Sequence, residues 1–277
     1  RDSSYILDWD DYNSVATLNY LQKNNLITYS AFKPFSVKVN ETNSIKNFNY
    51  GSILIPVSKQ KISSEKLYEI IKTAQEKFNV PIFNSESGFS IKGIDLGSNN
   101  FRINKPVKVA LVVGEGVNSY EAGEVWHLLD TRVGMSLSKI RLSQFSRVSL
   151  DKYTNLIMVS GSYNQLTKID IEKINDWVEK GNTLITIAEG SSWAIEKKLV
   201  KETLLEASND SIFSRKNYVS AAENIGRERI GGAILSVDLD LTHPLAFGYR
   251  DSSIPVYKNN NVFINKTKDC LLYTSPS

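Results

Sequence analysis

Three apolar runs along the chain do not alternate with polar residues: ILIPV from Ile53, VALVV from Val109 and LIMVS from Leu156. Continuous runs suit strands buried on both faces, the usual setting of a parallel sheet. Between them lie stripes of helical period. Leu67, Ile70, Ile71, Ala74 and Phe78 fall at i, i+3, i+4, i+7 and i+11, and Ile171, Ile174, Trp177 and Val178 form a similar stripe. Thr167 can cap the second helix, with Asp170 in its first turn, and Lys180-Gly181 supplies a basic residue and a glycine at its end. Strands alternating with helices predict right-handed crossovers and a doubly wound sheet.

The elements arrive twice in the same order, displaced by about one hundred residues. YILDWDDYNS, GSILIPVS, SSEKLYEIIKTAQEKF and VPIFNSESGF in the first half answer to VALVVGEGVNSYEAGEVWHLLD, NLIMVSGSYNQ, TKIDIEKINDWVEKG and TLITIAEGSSW in the second. The expected fold class is α/β, as two flavodoxin-like or amidotransferase-like doubly wound units with mainly parallel sheets. The first unit is placed at 1–104 and the second at 105–268, with GSNNFRINKP as the join. Duplication explains the repeat, and so does convergence between α/β units.

TLITIAEGSSWA, residues 183–194, has the outline of a sharp strand-to-helix turn. Several enzyme families mount a nucleophile at the middle of such a turn. Here that residue is Ala188, which offers none. In an open α/β sheet, ligands lie beyond the carboxyl ends of the strands. Gly114-Glu115, Gly161-Ser162 and Glu189-Gly190 occupy three such ends and are the candidate ligand-binding turns. Gly114, Gly116 and Gly123 do not have the dinucleotide-binding spacing, and Glu115 would repel a phosphate. A tight turn with Ser119 as helix cap explains that stretch without a ligand; if one binds, Glu115 suits a hydroxyl- or amine-bearing molecule.

Other polar pairs have plain structural explanations. His127-x-x-Asp130 lacks the third ligand that zinc needs, and the pattern reads as a half-buried helix histidine bonded to Asp130. Asp238 and Asp240 share one face of an expected strand, read as solvated, before the Thr242-His243-Pro244 turn. His243 joins the candidate binding residues. No metal ligand set and no catalytic set is assigned.

Composition narrows the picture. The 277 residues are 41% hydrophobic and 23% charged, with a net charge of +3 and no basic stripe, which argues against a nucleic-acid partner. No stretch approaches the roughly 18 apolar residues of a membrane span. CLLYTSPS at 270–277 reads as translated sequencing adaptor, so residues 269–277 are set aside as an artefact, and with them Cys270, the only cysteine. The start at Arg1 reads as mid-chain.

With these motifs assembled, the chain resembles the C-terminal region of bacterial zinc carboxypeptidase-like proteins of the metallocarboxypeptidase superfamily, common in Bacteroidetes. The resemblance rests on KVALVVGEGVNSYEAGEVWHLLDTR, NLIMVSGSY, GNTLITIAEGSSWAI and GAILSVDLDLTHPLAFGY, with YILDWDDYNSVATLNYLQKNNL before them. It implies a metallopeptidase domain upstream, holding zinc through H-x-x-E and a distant histidine, and no cofactor in this stretch. It also implies an exported protein, periplasmic or extracellular. The second half is similar in outline to class I glutamine amidotransferase-like domains, where a cysteine sits at the elbow and His-Pro-Glu follows. Here Ala188 and His243-Pro244-Leu245 stand at those places, so two of the three catalytic groups are missing and the elbow reads as a pseudo-active site.

The leading expectation is therefore a non-catalytic accessory region of an exported zinc carboxypeptidase-like hydrolase. Its implied partners are the upstream peptidase domain of the same chain and, for dimerisation, a second copy. The alternative is a small-molecule module taking a glycan or peptide at the three turns. The third reading, an independent hydrolase using Glu115, Glu189, Asp238 or Asp240 with His243, ranks last because these residues fit no known nucleophile–base arrangement.

Overall fold

A computed structural model describes residues 3–39, 44–205 and 231–265. These divide into two compact units. One takes the described residues of Arg1–Pro106, His127–Ser136 and Leu239–Ser252; the other takes those of Val107–Trp126, Leu137–Asp238 and Ser253–Ser277. Cys270 and the adaptor-like tail lie outside the described residues.

In the first unit the order is β1 (Ser4–Leu7), α1 (Ser14–Lys23), β2 (Tyr29–Ala31), β3 (Phe35–Val39), β4 (Ser44–Phe48), β5 (Ile53–Pro56), α2 (Ser64–Phe78), β6 (Ile82–Ser85), β7 (Lys92–Gly93) and β8 (Phe101–Ile103). The α2 stripe lies where its period places it: Leu67, Ile70, Ile71 and Ala74 are buried. Ser63 caps the helix by accepting from Lys66 N, and Asn79 ends it in the left-handed conformation.

The sheet, however, is not parallel. Its strands run β6-β1-β5-β2-β8, and every pairing is antiparallel. A second antiparallel sheet, β4-β3-β7, covers its other face. The apolar runs misled for a physical reason. Tyr5, Leu7, Ile53 and Ile55 pack against α1 and α2, while Ile6 and Leu54 pack against Phe35, Val37, Phe48 and Phe101. A strand between a helical layer and a second sheet is buried on both faces whatever its direction, so it also reads as continuous.

The second unit meets the parallel expectation. It contains β9 (Val109–Val113), α3 (Ser119–Trp126), β10 (Leu137–Arg141), β11 (Asn155–Met158), α4 (Lys168–Glu179), β12 (Thr183–Thr186) and α5 (Glu189–Glu196), then a hairpin of β13 (Ala233–Asp238) and β14 (Ser253–Lys258). The sheet is β10-β9-β11-β12, with every pairing parallel. Ala110, Val112, Leu156, Met158, Ile174 and Trp177 belong to one buried cluster. Thr167 and Asp170 form the capping box that starts α4. The molecule is thus mixed α/β, with one parallel sheet and several antiparallel ones. The repeated element order does not extend to strand direction.

Candidate functional site

The strand order sets the site of interest. From β9 the chain crosses to β10 on one side, while β11 and β12 lie on the other. The carboxyl ends of β9 and β11 therefore flank the point where connections diverge, which is where open α/β sheets form a crevice. The elbow after β12 adjoins it.

The first turn is closed by Val117 N donating to Gly114 O at 3.0 Å. Gly114 has a φ of 106° and Gly116 one of 91°, values that an L side chain rarely adopts. Glu115 stands exposed at the tip. The helix cap is Asn118 rather than Ser119: its Oδ1 accepts from Tyr120 N at 3.0 Å and Glu121 N at 3.2 Å. Asn118 is the better cap because its side-chain oxygen reaches the first free amides of α3.

The second turn is stitched to the first. Asn118 N donates to Ser160 O at 2.8 Å, and Ser162 N donates to Gly116 O at 2.7 Å. Val117 and Gly161 form an antiparallel bridge. A Cβ on Gly161 would lie 2.7 Å from Gly116 O, so only glycine allows this approach. The Glu121 carboxylate then accepts from Ser160 N at 2.8 Å. Beneath, Tyr163 donates to Val159 O at 2.6 Å and packs against Trp193. Burial pushes the Tyr163 phenol well above its ordinary range, and the Glu121 charge adds to the shift.

The third turn is a sharp elbow. Ala188 has a φ of 50° and a ψ of −122°, a conformation costing a non-glycine residue about 1–3 kcal/mol. Ile187 N donates to Met158 O at 3.0 Å, and a Cβ on Gly190 would meet Met158 O at 2.6 Å and Val159 O at 2.7 Å. This close approach seats the start of α5 against β11. Where such an elbow carries a nucleophile, the next backbone N–H serves the oxyanion. Here that N–H belongs to Glu189, and it donates to Ser160 Oγ at 3.3 Å.

The structure thus brings Gly161, Ser162, Glu189 and Gly190 together with the Gly114 turn. Ser160 and Glu121, which tie the three turns, are not among the sequence-predicted residues. The signal for Ser160 was its place as the second residue beyond β11, before the glycine. Glu121 sits in the first turn of α3, with no local pattern to mark its reach to Ser160.

His243 lies in the other unit, where its Nδ1 accepts from Leu245 N at 3.2 Å and caps the turn Pro244–Ala246. The second unit holds no histidine, since the chain's two, His127 and His243, both belong to the first. His127 and Asp130 are both exposed on a π-helical turn, so the half-buried bonded pair expected from an α-helix does not form. Asp238 ends β13, whereas Asp240 lies beyond the strand and accepts from Thr242 N and Oγ1, which hold its carboxyl below the usual range. The two carboxylates therefore share no strand face.

Among the described residues, no three His, Cys, Asp or Glu side chains gather as a metal site. The described residues do not offer the histidine and glutamate set of a metallopeptidase zinc site. No helix of the described residues is long and apolar enough to cross a membrane. No family model matches the chain, and no curated protein matches it.

Proposed function

We infer that this chain is a non-catalytic accessory region of a larger, exported zinc carboxypeptidase-like hydrolase. Its second unit is read as a doubly wound, amidotransferase-like domain whose elbow lacks a nucleophile. The carrying observation is the hydrogen bond from Glu189 N to Ser160 Oγ, which occupies the donor an oxyanion would need. Ala188 has nothing to attack with, and the unit has no histidine to act as a base. The parent reaction is then metal-dependent hydrolysis of a peptide or amide bond, with zinc held upstream. This region serves to position substrate, to stabilise the peptidase domain or to pair two copies.

The alternative, a binding module at the three turns, is opposed by their closure. Gly116 and Gly161 meet backbone to backbone, and the Glu121 carboxylate is already engaged by Ser160 N.

Reading the gene upstream of Arg1 tests the proposal. An in-frame H-x-x-E followed by a distant histidine is the expected result. A start codon close to Arg1, with no peptidase motif before it, would overturn it.

A further inference from the structure

The first unit has its own cavity, of about 250 Å³, built from three remote stretches. Asp8 and Asp10 follow β1, Asn47 and Asn49 come from the end of β4 and just beyond it, and Tyr249 and Arg250 arrive from the far end of the chain. The closure is specific. Gly51 and Gly248 both have positive φ, and a Cβ on either would strike Trp9, at 2.7 Å from its ring and 2.6 Å from its carbonyl oxygen. The Phe247 ring stacks on Tyr50 at 5.6 Å. The 239–252 segment is thereby seated against the β1 end, within one compact unit.

Its charges cancel. Lys46 Nζ lies 3.2 Å from Asp8, and Arg250 pairs with Asp10, its Nε at 2.8 Å from Oδ2. The cavity therefore has no net charge to attract an ion. What remains is a mixed array of donors and acceptors. Asn47 Oδ1 accepts from Ser36 and Asn49 Oδ1 from Tyr50 N, and among the described residues neither amide NH2 group has a partner, so both can donate. Both Arg250 bonds go to Oδ2 of Asp10, so Oδ1 has no partner among the described residues. A phosphate wants donors only, and an ammonium wants acceptors only. Hydroxyl groups both donate and accept, and they match an alternation of amide and carboxylate. The Tyr249 ring, 48% exposed, offers an apolar face beside this array. The volume is close to the lower limit of about 300 Å³ for small-molecule sites, which fits a single ring.

We propose that this cavity binds one neutral sugar ring, held by Asp10, Asn47 and Asn49 through its hydroxyls and by Tyr249 through its C–H face. The inference does not rest on the accessory-region reading, and the site is separate from the three turns of the parallel sheet.

The test titrates the 277-residue chain with D-glucose, D-galactose, D-mannose and N-acetyl-D-glucosamine, each into the millimolar range, by saturation-transfer NMR. At least one should bind saturably. Asn49→Ala and Tyr249→Ala should each weaken it about fivefold or more, the loss of one ordinary contact. Glu124→Gln, at an exposed position of α3 in the other unit, should leave it unchanged. Unaltered thermal melts establish that the variants fold, and Tyr249→Phe should retain binding because the ring remains. Failure of all four sugars to bind, binding that survives both alanine substitutions, or tighter binding of glucose 6-phosphate than of glucose would overturn the proposal.

Discussion

The backbone N–H of Glu189 donates to the hydroxyl of Ser160 at 3.3 Å, joining the elbow after β12 to the turn after β11. One contact thus ties the strained backbone at Ala188 to the loop that Glu121 holds from α3. The elbow keeps its shape although position 188 carries no reactive group.

That strain should be measurable. Replacing Ala188 with glycine removes the penalty of a φ of 50° but adds unfolded-state freedom. A net gain of about 1 kcal/mol is expected, or ~2–4 °C in melting temperature for a unit of this size. Calorimetry of Ala188→Gly checks it; an unchanged or lower melting temperature would mean that the elbow is unstrained.

Three glycines of the same unit should respond in opposite directions. Gly161→Ala and Gly190→Ala each drive a Cβ into backbone oxygen at less than 3 Å, costing about 2 kcal/mol or more. Gly123 lies in α3 with nothing within 4 Å of its Cβ position, so Gly123→Ala should stabilise by up to ~1 kcal/mol. Urea unfolding of the three variants separates close approach from simple helix propensity.

Asp170 sets an acid limit. Its carboxyl is buried, which alone would raise its pKa. Hydrogen bonds from Thr167 N and Oγ1 and from Ser146, with Lys173 nearby, outweigh that and hold it below the usual range. A depressed folded pKa gives stability that is full above about pH 4, the unfolded value, and fades as pH falls through the folded one. Asp170→Asn should therefore lower stability at pH 7 by about 1–2 kcal/mol and flatten the loss between pH 5 and 2. Thermal melts across that range decide it.

Glu121 acts on two neighbours. Glu121→Gln weakens the acceptor for Ser160 N, at a cost of about 1 kcal/mol. It also removes a charge that raises the Tyr163 pKa, so the phenol should ionise at lower pH than in the parent while staying above the ordinary tyrosine range, because burial remains the larger cause. Ultraviolet titration of both proteins, with Tyr163→Phe to assign the signal, measures the shift.

The sequence was most informative where local chemistry decides structure. The stripe of α2, the capping box of α4 and the parallel strands β9 and β11 all lie where period and capping residues indicate. Strand direction in the first unit was not legible, because Ile6 and Leu54 are buried by a second sheet that no local pattern reveals. The elbow was visible as a turn, but the role of Ser160 was not, since it depends on an amide 29 residues away. The cavity of Asp10, Asn49 and Tyr249 was also hidden: its walls come from opposite ends of the chain.

The central claim is that this chain breaks no bonds by itself, and a hydrolysis assay of the purified 277-residue protein addresses it directly. Peptide, amide and ester substrates would be offered with added zinc and, separately, with a chelator. The account predicts no turnover above buffer in either condition. Turnover that persists under chelation and falls on Ser160→Ala or Glu121→Gln would contradict it.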